Sequence, residues 1–501
     1  MVDIWCMVDV QYVIMNNLKL SATDREFFTK VRFAIGANPF SDERAAVDKE
    51  LVRRKTALSS EKMVGELVKV VEGKLGQICS QAKKPILCFA GEDRELVQYG
   101  VLFHIFHKFC ANFDQHIQEQ IEHGDEPCRV GFAAAVLTEM VAMGIGRQEA
   151  LHFFALFFQM RRAFYFIDRI VGKSPCMKNL RRSLWNNIFT HDIWLYDQHL
   201  WNRMEDFSTM LLGPTGTGKG LAAAAIGRSG YIPYDERKKS FAESFTRVFI
   251  SINLSQYPEQ LVESELFGHK KGSFTGAVEG HAGIFTLCSP SGAIFLDEIG
   301  EVSIPVQIKL LQVLQERIFS PVGSHKKERF YGRVIAATNR SIVDLRKQKV
   351  FRDDFYYRLC SDIITVPSLF QRVQENADEL DDLLANTVGR IIGKTSPELV
   401  LHTLRLVKQQ IPVDYLWPGN VRELEQCVRR IFLKQEYEGD RILVDDAGTD
   451  NFKEILINSN LTAQQLMAKY CKVLYEALGT YEAVAKRVEL DRRTVRKYIN
   501  Y

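Results

Sequence analysis

"LLGPTGTGKG", residues 211–220, lies between an apolar run, "TMLLG" (209–213), and a helix-forming run, "LAAAAIG" (221–227). Gly213, Gly218 and Lys219 fit the pattern G-x-x-x-x-G-K. In such a loop, backbone N–H groups curl around phosphates, the following helix adds the positive end of its dipole, and the lysine reaches the β- and γ-phosphates. The candidate ATP-binding segment is therefore Gly213, Pro214, Thr215, Gly216, Thr217, Gly218 and Lys219, with Gly220 and Leu221 opening the helix. Gly220 stands where a Ser or Thr would ordinarily hold Mg²⁺.

Further apolar runs, "VFISIN" (248–253), "AIFLDE" (293–298) and "VIAATN" (334–339), alternate with helical segments. That rhythm predicts an α/β domain with a parallel sheet. Asp297 and Glu298 emerge at the end of one buried strand. Asp297 suits Mg²⁺, directly or through water, and Glu298 suits polarising an attacking water. No guanine-reading NKxD pattern is present, which points to ATP rather than GTP. Asn339, ending its strand, is placed to sense the γ-phosphate, and Asn253 to restrain Glu298. "FRDDFYYRL" (351–359) offers Arg352 and Arg358, which suit completion of a neighbouring subunit's site.

"GHKKGSFTGA" (268–277) carries three glycines, two lysines and a Phe-Thr pair, with little to bury. Together with the motifs above it identifies a resemblance: the chain looks like a bacterial enhancer-binding protein, an AAA+ activator of sigma-54 RNA polymerase. The likeness covers roughly 168–435, through "IVGKSPCM" (170–177), the phosphate loop, "ESELFGHKKGSFTGA" (263–277), "IFLDEIGE" (294–301), "FRDDFYYRL" and "WPGNVREL" (417–424). Residues 272–277 read GSFTGA where the family has GAFTGA. The resemblance implies that Gly272, Ser273, Phe274, Thr275, Gly276 and Ala277 form the sigma-54 contact. It further implies that Asn253 is a switch, that Arg352 and Arg358 act in trans in a ring, usually a hexamer, and that Arg422 is a lid sensor. The chain departs from the family at Ser273, at Gly220, where the family often has Glu, and in "VPSLFQRVQENADEL" (366–380). The stretch "IWLYDQHLWNRM" (193–204) has no family assignment.

The implied organisation is a mainly helical regulatory region (1–168), an AAA+ α/β ATPase domain (169–366), a helical lid (367–436), a linker (437–460) and a helix-turn-helix DNA-binding domain (461–501). The ending "TYEAVAKRVELDRRTVRKYINY" predicts a first helix over 480–488, a turn at Glu489 and Leu490, and an N-cap at Asp491. From Glu482 onward there are six basic and three acidic residues, so this end is locally basic. It resembles a Fis-type helix-turn-helix, which would turn Arg492, Arg493, Thr494, Arg496 and Lys497 toward DNA. An AAA+ unfoldase, the alternative from another class, would need neither GSFTGA nor this ending. A DNA-binding regulator whose ATPase is impaired by Gly220 is a third reading.

A chain of 501 residues suggests two to four domains, and a net charge of +3 gives no global field for nucleic acid or membrane. The greasiest stretches, "GFAAAVLTEMVAMGIG" and "ALHFFALFFQM", are short or carry Glu139, His152 and Gln159, and read as core helices. No secretory signal is evident, and ten scattered cysteines offer no metal or redox spacing, which suits a cytoplasmic protein with reduced thiols. His104, His107 and Cys110 fall at i, i+3 and i+6 of a segment read as one helix; core packing is the preferred reading over metal ligation.

Overall fold

A computed structural model of the chain describes residues 18–52, 60–79, 84–274, 277–394, 396–412, 414–439, 462–478 and 480–499. Five strands form the central sheet: β1 (Thr209–Leu212), β2 (Phe249–Asn253), β3 (Ala293–Asp297), β4 (Arg333–Thr338) and β5 (Asp362–Thr365). They are parallel throughout, in the order β2-β3-β4-β1-β5. Four of these strands coincide with the apolar runs read from the sequence. The fifth, β5, was not anticipated: "DIIT" is four residues long and an edge strand with three of its residues exposed, so its hydrophobic signal is weak.

Period-two alternation divides the sheet between two cores. Leu211, Phe295, Ile335 and Ala337 belong to one, and Met210, Leu296, Val334 and Ala336 to the other. The first core continues without a break into the N-terminal helices. Those are α1 (Ala22–Gly36), α2 (Asp42–Val52), α3 (Ser60–Cys79), α4 (Gly91–Lys108), α5 (Cys110–His123), α6 (Ala133–Met143) and α7 (Arg147–Asp168). Helix α7 makes the join, because it is buried nearly all round: Phe153, Phe154, Phe157, Phe158 and Ala163 are all inside. Arg162 on the same helix is fully buried. It donates to the carbonyls of Arg228 (2.7 Å) and Gly230 (2.6 Å) and lies over the rings of Phe158 and Phe245.

One expectation needs correction here. The segment read as a single helix through Cys110 breaks at Phe109, so His104 and His107 end α4 while Cys110 opens α5. His107 stands 4.3 Å from the Phe103 ring, and burial lowers its pKa to about 3, which keeps it neutral. Among the described residues no group of three or more His, Cys, Asp or Glu side chains is placed to hold a metal ion. Nor is any described helix long and apolar enough to cross a membrane.

Helix α8 (Pro175–Phe189) leads into the sheet, α9 (Lys219–Gly227) follows β1, α10 (Glu259–Phe267) follows β2, and α11 (Ile304–Glu316) follows β3. Beyond β4 lies α12 (Asp353–Leu359). Four further helices follow: α13 (Leu369–Glu375), α14 (Asp378–Ile392), α15 (Pro397–Gln410) and α16 (Asn420–Lys434). Residues 1–406 and 414–433 make one compact unit; residues 407–413 and 434–501 make a second. The core of the first is a P-loop α/β sheet of the AAA+ type.

In the second unit, α17 (Ala463–Leu478), α18 (Tyr481–Val488) and α19 (Arg492–Ile499) enclose Cys471, Val484 and Val495. Glu489 turns the chain between α18 and α19 with φ 55°. Asp491 accepts the N–H groups of Arg493 (2.9 Å) and Thr494 (3.0 Å), a capping arrangement at the start of α19. Of the expected linker, 437–460, all but 437–439 lies outside the described residues.

Candidate functional site

The parallel sheet delivers the ends of β1, β2, β3 and β4 to one edge, where open α/β sheets bind ligands. Gly213 follows β1 with φ 154°, and a Cβ there would sit 2.5 Å from the Val366 carbonyl, so only glycine fits beside β5. Thr217 Oγ1 donates to the Pro214 carbonyl at 3.0 Å and tightens the loop. Lys219 opens α9 and points back over the loop, with Nζ donating to the carbonyls of Gly213 (2.8 Å) and Pro214 (3.2 Å). Burial lowers the Lys219 pKa, Glu298 and Asp297 oppose that shift, and Arg422 adds to it. Both carboxylates and Arg422 therefore act on one ammonium.

Asp297 ends β3 directly opposite Asn253 of β2. Its Oδ1 accepts the Glu298 N–H at 3.0 Å, and Glu298 takes a left-handed conformation, φ 55°, that lifts its carboxylate out of the strand. Asn339 lies between the two halves of the site. Its N–H faces Glu298 Oε2 at 3.4 Å, and its Nδ2 donates to Thr215 Oγ1 at 2.9 Å. The phosphate loop, the paired carboxylates and Asn339 thus converge. Asn253 is differently engaged: its Oδ1 accepts the N–H (3.0 Å) and hydroxyl (2.7 Å) of Ser255 rather than touching Glu298.

The start of α16 closes on the same loop. Asn420 Nδ2 donates to the Thr215 carbonyl (3.0 Å), Val421 N–H donates to the Gly216 carbonyl (3.1 Å), and Asn420 Oδ1 accepts from Leu369 N–H (2.7 Å). Gly216 has φ 77°, and a Cβ on it would lie 2.3 Å from the Gly419 carbonyl and 2.9 Å from Arg422 Cβ. Arg422 therefore stands against the loop. Asn420 joins the loop to α13 but was not singled out from the sequence; it lies inside "WPGNVREL" between Gly419 and Val421, where nothing in the spacing records a two-sided contact.

Arg352 and Arg358 do not reach this site within their own chain. Arg352 caps α12 and pairs with Asp354 through two nitrogens, at 3.0 and 2.7 Å. Arg358 in the last turn donates to the Leu314 carbonyl at 2.9 Å.

The glycine loop rises after α10. Its stem is held where His269 bridges to both His281 and Val322. Above it, Gly272 N–H donates to the Ala277 carbonyl (2.8 Å) and Ala277 N–H to the Phe274 carbonyl (3.0 Å). Phe274 sits edge-on to His269, with ring centroids 4.9 Å apart, and keeps 37% of its surface exposed. Ser273 packs close to Gly323, and its hydroxyl is buried without a hydrogen bond. Thr275 and Gly276 lie outside the described residues.

In α19, Arg493, Arg496 and Lys497 are exposed. Arg492 pairs with Glu482 at 2.7 Å, and the Thr494 hydroxyl donates to Asp491.

The family profile of the sigma-54 interaction domain matches residues 196–365, a span that includes the phosphate loop, the carboxylate pair, the glycine loop and both arginines. The chain thus contains a segment similar to the sigma-54 interaction domain. The nitrogen fixation protein AnfA of Azotobacter vinelandii is 37% identical over 291 residues, 57% of this chain and 51% of that protein. A Nif-specific regulatory protein of Klebsiella pneumoniae is 37% identical over 264 residues, 53% of this chain and 44% of its own. The chain thus spans about half the length of these curated relatives. Among solved structures, NtrX from Brucella abortus aligns over 74% of this chain and 80% of its own at 19% identity, with a TM-score of 0.39.

Proposed function

We propose that the chain hydrolyses ATP and uses the energy to press the 272–277 loop against sigma-54 in the closed promoter complex. The observation that carries this reading is Asn339, which links Thr215 of the phosphate loop to Glu298 across the site. A change in the γ-phosphate is thereby registered by the group that handles the attacking water.

In the reaction, Glu298 orients water and accepts its proton as the water oxygen bonds to the γ-phosphorus and the bond to the ADP oxygen breaks. Lys219 exchanges the loop carbonyls it now holds for phosphate oxygens. Asp297 is the residue that would hold Mg²⁺, helped by water and phosphate because Gly220 has no hydroxyl; the ion, when bound, neutralises charge on the phosphates. Arg422 is read as the lid sensor and Arg352 and Arg358 as groups presented to a neighbouring subunit in a ring. Their distance from their own chain's phosphate loop supports that reading. Arg493, Arg496 and Lys497, with Arg492 and Thr494, are read as the DNA-facing set of the helix-turn-helix.

Substitution tests the coupling. Phe274→Ala removes an exposed ring from a loop whose described residues share no hydrogen bond or ion pair with Lys219 or Glu298. ATP turnover is expected to stay within about twofold of wild type, while retention of sigma-54 in the presence of an ATP transition-state mimic falls about tenfold or more, as for an interface anchor. Native gel analysis of labelled sigma-54 reads this outcome. Undiminished retention by Phe274→Ala would remove the loop from the interface.

A further inference from the structure

At the N-terminal edge of the sheet, away from the Lys219 site, lies a cavity of about 410 Å³. Gly227 at the end of α9, Ala293 at the start of β3 and Arg333 at the start of β4 all reach it. Its volume falls within the range of small-molecule pockets. The walls are aromatic: Tyr196, Trp201, Tyr231 and Tyr331 line it. Two of the hydroxyls are already engaged, Tyr196 with Gln159 and Tyr231 with His152, so those residues offer their rings to the space. Trp201 and Tyr231 are 4.6 Å apart, and Tyr331 is about half exposed.

The polar side of the cavity is Arg333. Its Nε donates to the Phe207 carbonyl (2.9 Å), and its Nη2 to Asn187 Oδ1 (2.9 Å), the Asn187 carbonyl (3.1 Å) and Thr209 Oγ1 (3.1 Å). Every one of these partners is neutral. Among the described residues no carboxylate lies within ion-pair distance of this guanidinium, and Nη1 makes no hydrogen bond. Burial lowers its pKa to about 10, so it stays charged at neutral pH. Asp362 acts on it only at a distance, sharing Asn187, whose Nδ2 donates to Asp362 Oδ2 at 2.6 Å, so the guanidinium at the wall of the aromatic cavity has no direct ion pair and keeps a position that a ligand's anion can match. Glu205, the one acidic residue among the described lining residues, disfavours a second negative group.

We propose that this cavity binds a small planar aromatic monocarboxylate, its ring against Trp201, Tyr231 and Tyr331 and its carboxylate on Arg333. Occupancy would bear on the roots of β3 and β4, whose far ends carry Asp297 and Asn339.

Calorimetric titration of the full chain with benzoate, and with benzamide as its neutral isostere, tests the assignment. Benzoate is expected to bind with a Kd of about 1 mM or tighter, and benzamide about tenfold more weakly or worse. Trp201→Ala and Tyr331→Ala should each weaken benzoate about fivefold or more, and Glu205→Gln should strengthen it. Arg333→Gln should abolish the preference for benzoate over benzamide. Because Arg333 also ties Phe207, Asn187 and Thr209 together, that variant is read only with an unchanged circular dichroism spectrum, and the Trp201 and Tyr331 variants decide the location without it. Equal binding of benzoate and benzamide overturns the role of Arg333. Failure of benzoate to bind, or an unchanged Kd in both ring variants, overturns the site.

Discussion

Glu298→Gln is expected to lower ATP turnover by about 10²–10⁴-fold while ATP binding stays within a few-fold of wild type. The substitution keeps the size of the side chain and an oxygen to face the Asn339 N–H, now 3.4 Å from Glu298 Oε2. What it removes is the negative charge and the ability to take a proton. Nucleotide binding rests instead on the phosphate loop and Lys219, which Glu298 influences only through its field. Gln is no worse suited than Glu to the left-handed backbone at this position, so the variant should fold. Single-turnover hydrolysis of labelled ATP, beside calorimetric titration with ADP, separates the two effects. Turnover within threefold of wild type would mean that another group handles the water, and the reading of the site would fail. If turnover and binding fall together, the carboxylate is a structural prop of the loop and not its base.

Legibility in the sequence followed the range of the physics involved. The phosphate loop is a local device, with strand, turn and helix contiguous over some twenty residues, so Gly213, Gly218 and Lys219 announce it. Asp297 and Glu298 are readable for the same reason, since a buried four-residue run points to them. The cap at Asp491 was legible because it depends only on the two residues that Asp491 bonds. Strand β5 was missed because an edge strand of four residues owes its place to pairing with β1, some 150 residues earlier. Asn420, Arg162 and Arg333 were missed for a related reason. Each is a polar residue whose role is set by carbonyls brought from distant segments, and no spacing records that. The contiguous core between α7 and the sheet likewise depends on which face of an all-round apolar helix meets which partner. The break at Phe109 was hidden because the apolar positions continue across it.

The joint between α14 and residues 171–174, also invisible in the sequence, gives the second large effect. Glu379 on α14 is fully buried. It accepts the N–H groups of Lys173 and Ser174 and pairs with Arg372, whose Nη2 lies 2.8 Å from Oε2 and also donates to the Val171 carbonyl at 2.6 Å. Gly172 is confined by the same pair, since a Cβ there would sit 2.6 Å from Arg372 Nη2 and 2.7 Å from Glu379 Oε2. Glu379→Ala leaves the Arg372 guanidinium buried without its anion, along with two orphaned N–H groups. The expected loss is about 3–5 kcal/mol, characteristic of breaking one side of a buried pair. Because the first unit holds several elements, the loss should appear as local opening: amide exchange at 171–176 and along α13 and α14 should accelerate well before the sheet unfolds. The pH dependence has a definite sign. Burial pushes the Glu379 carboxyl up, but the Ser174 N–H and Arg372 outweigh it and hold the carboxyl below its ordinary value of 4.5. A carboxyl lowered on folding contributes stability above that ordinary value and loses it as pH falls through the folded one. The gap between wild type and Glu379→Ala should therefore be full at neutral pH and narrow below about pH 4.5. Equal exchange rates in the two proteins at pH 7 would show that α13 and α14 are held to residues 171–174 by something other than this charge.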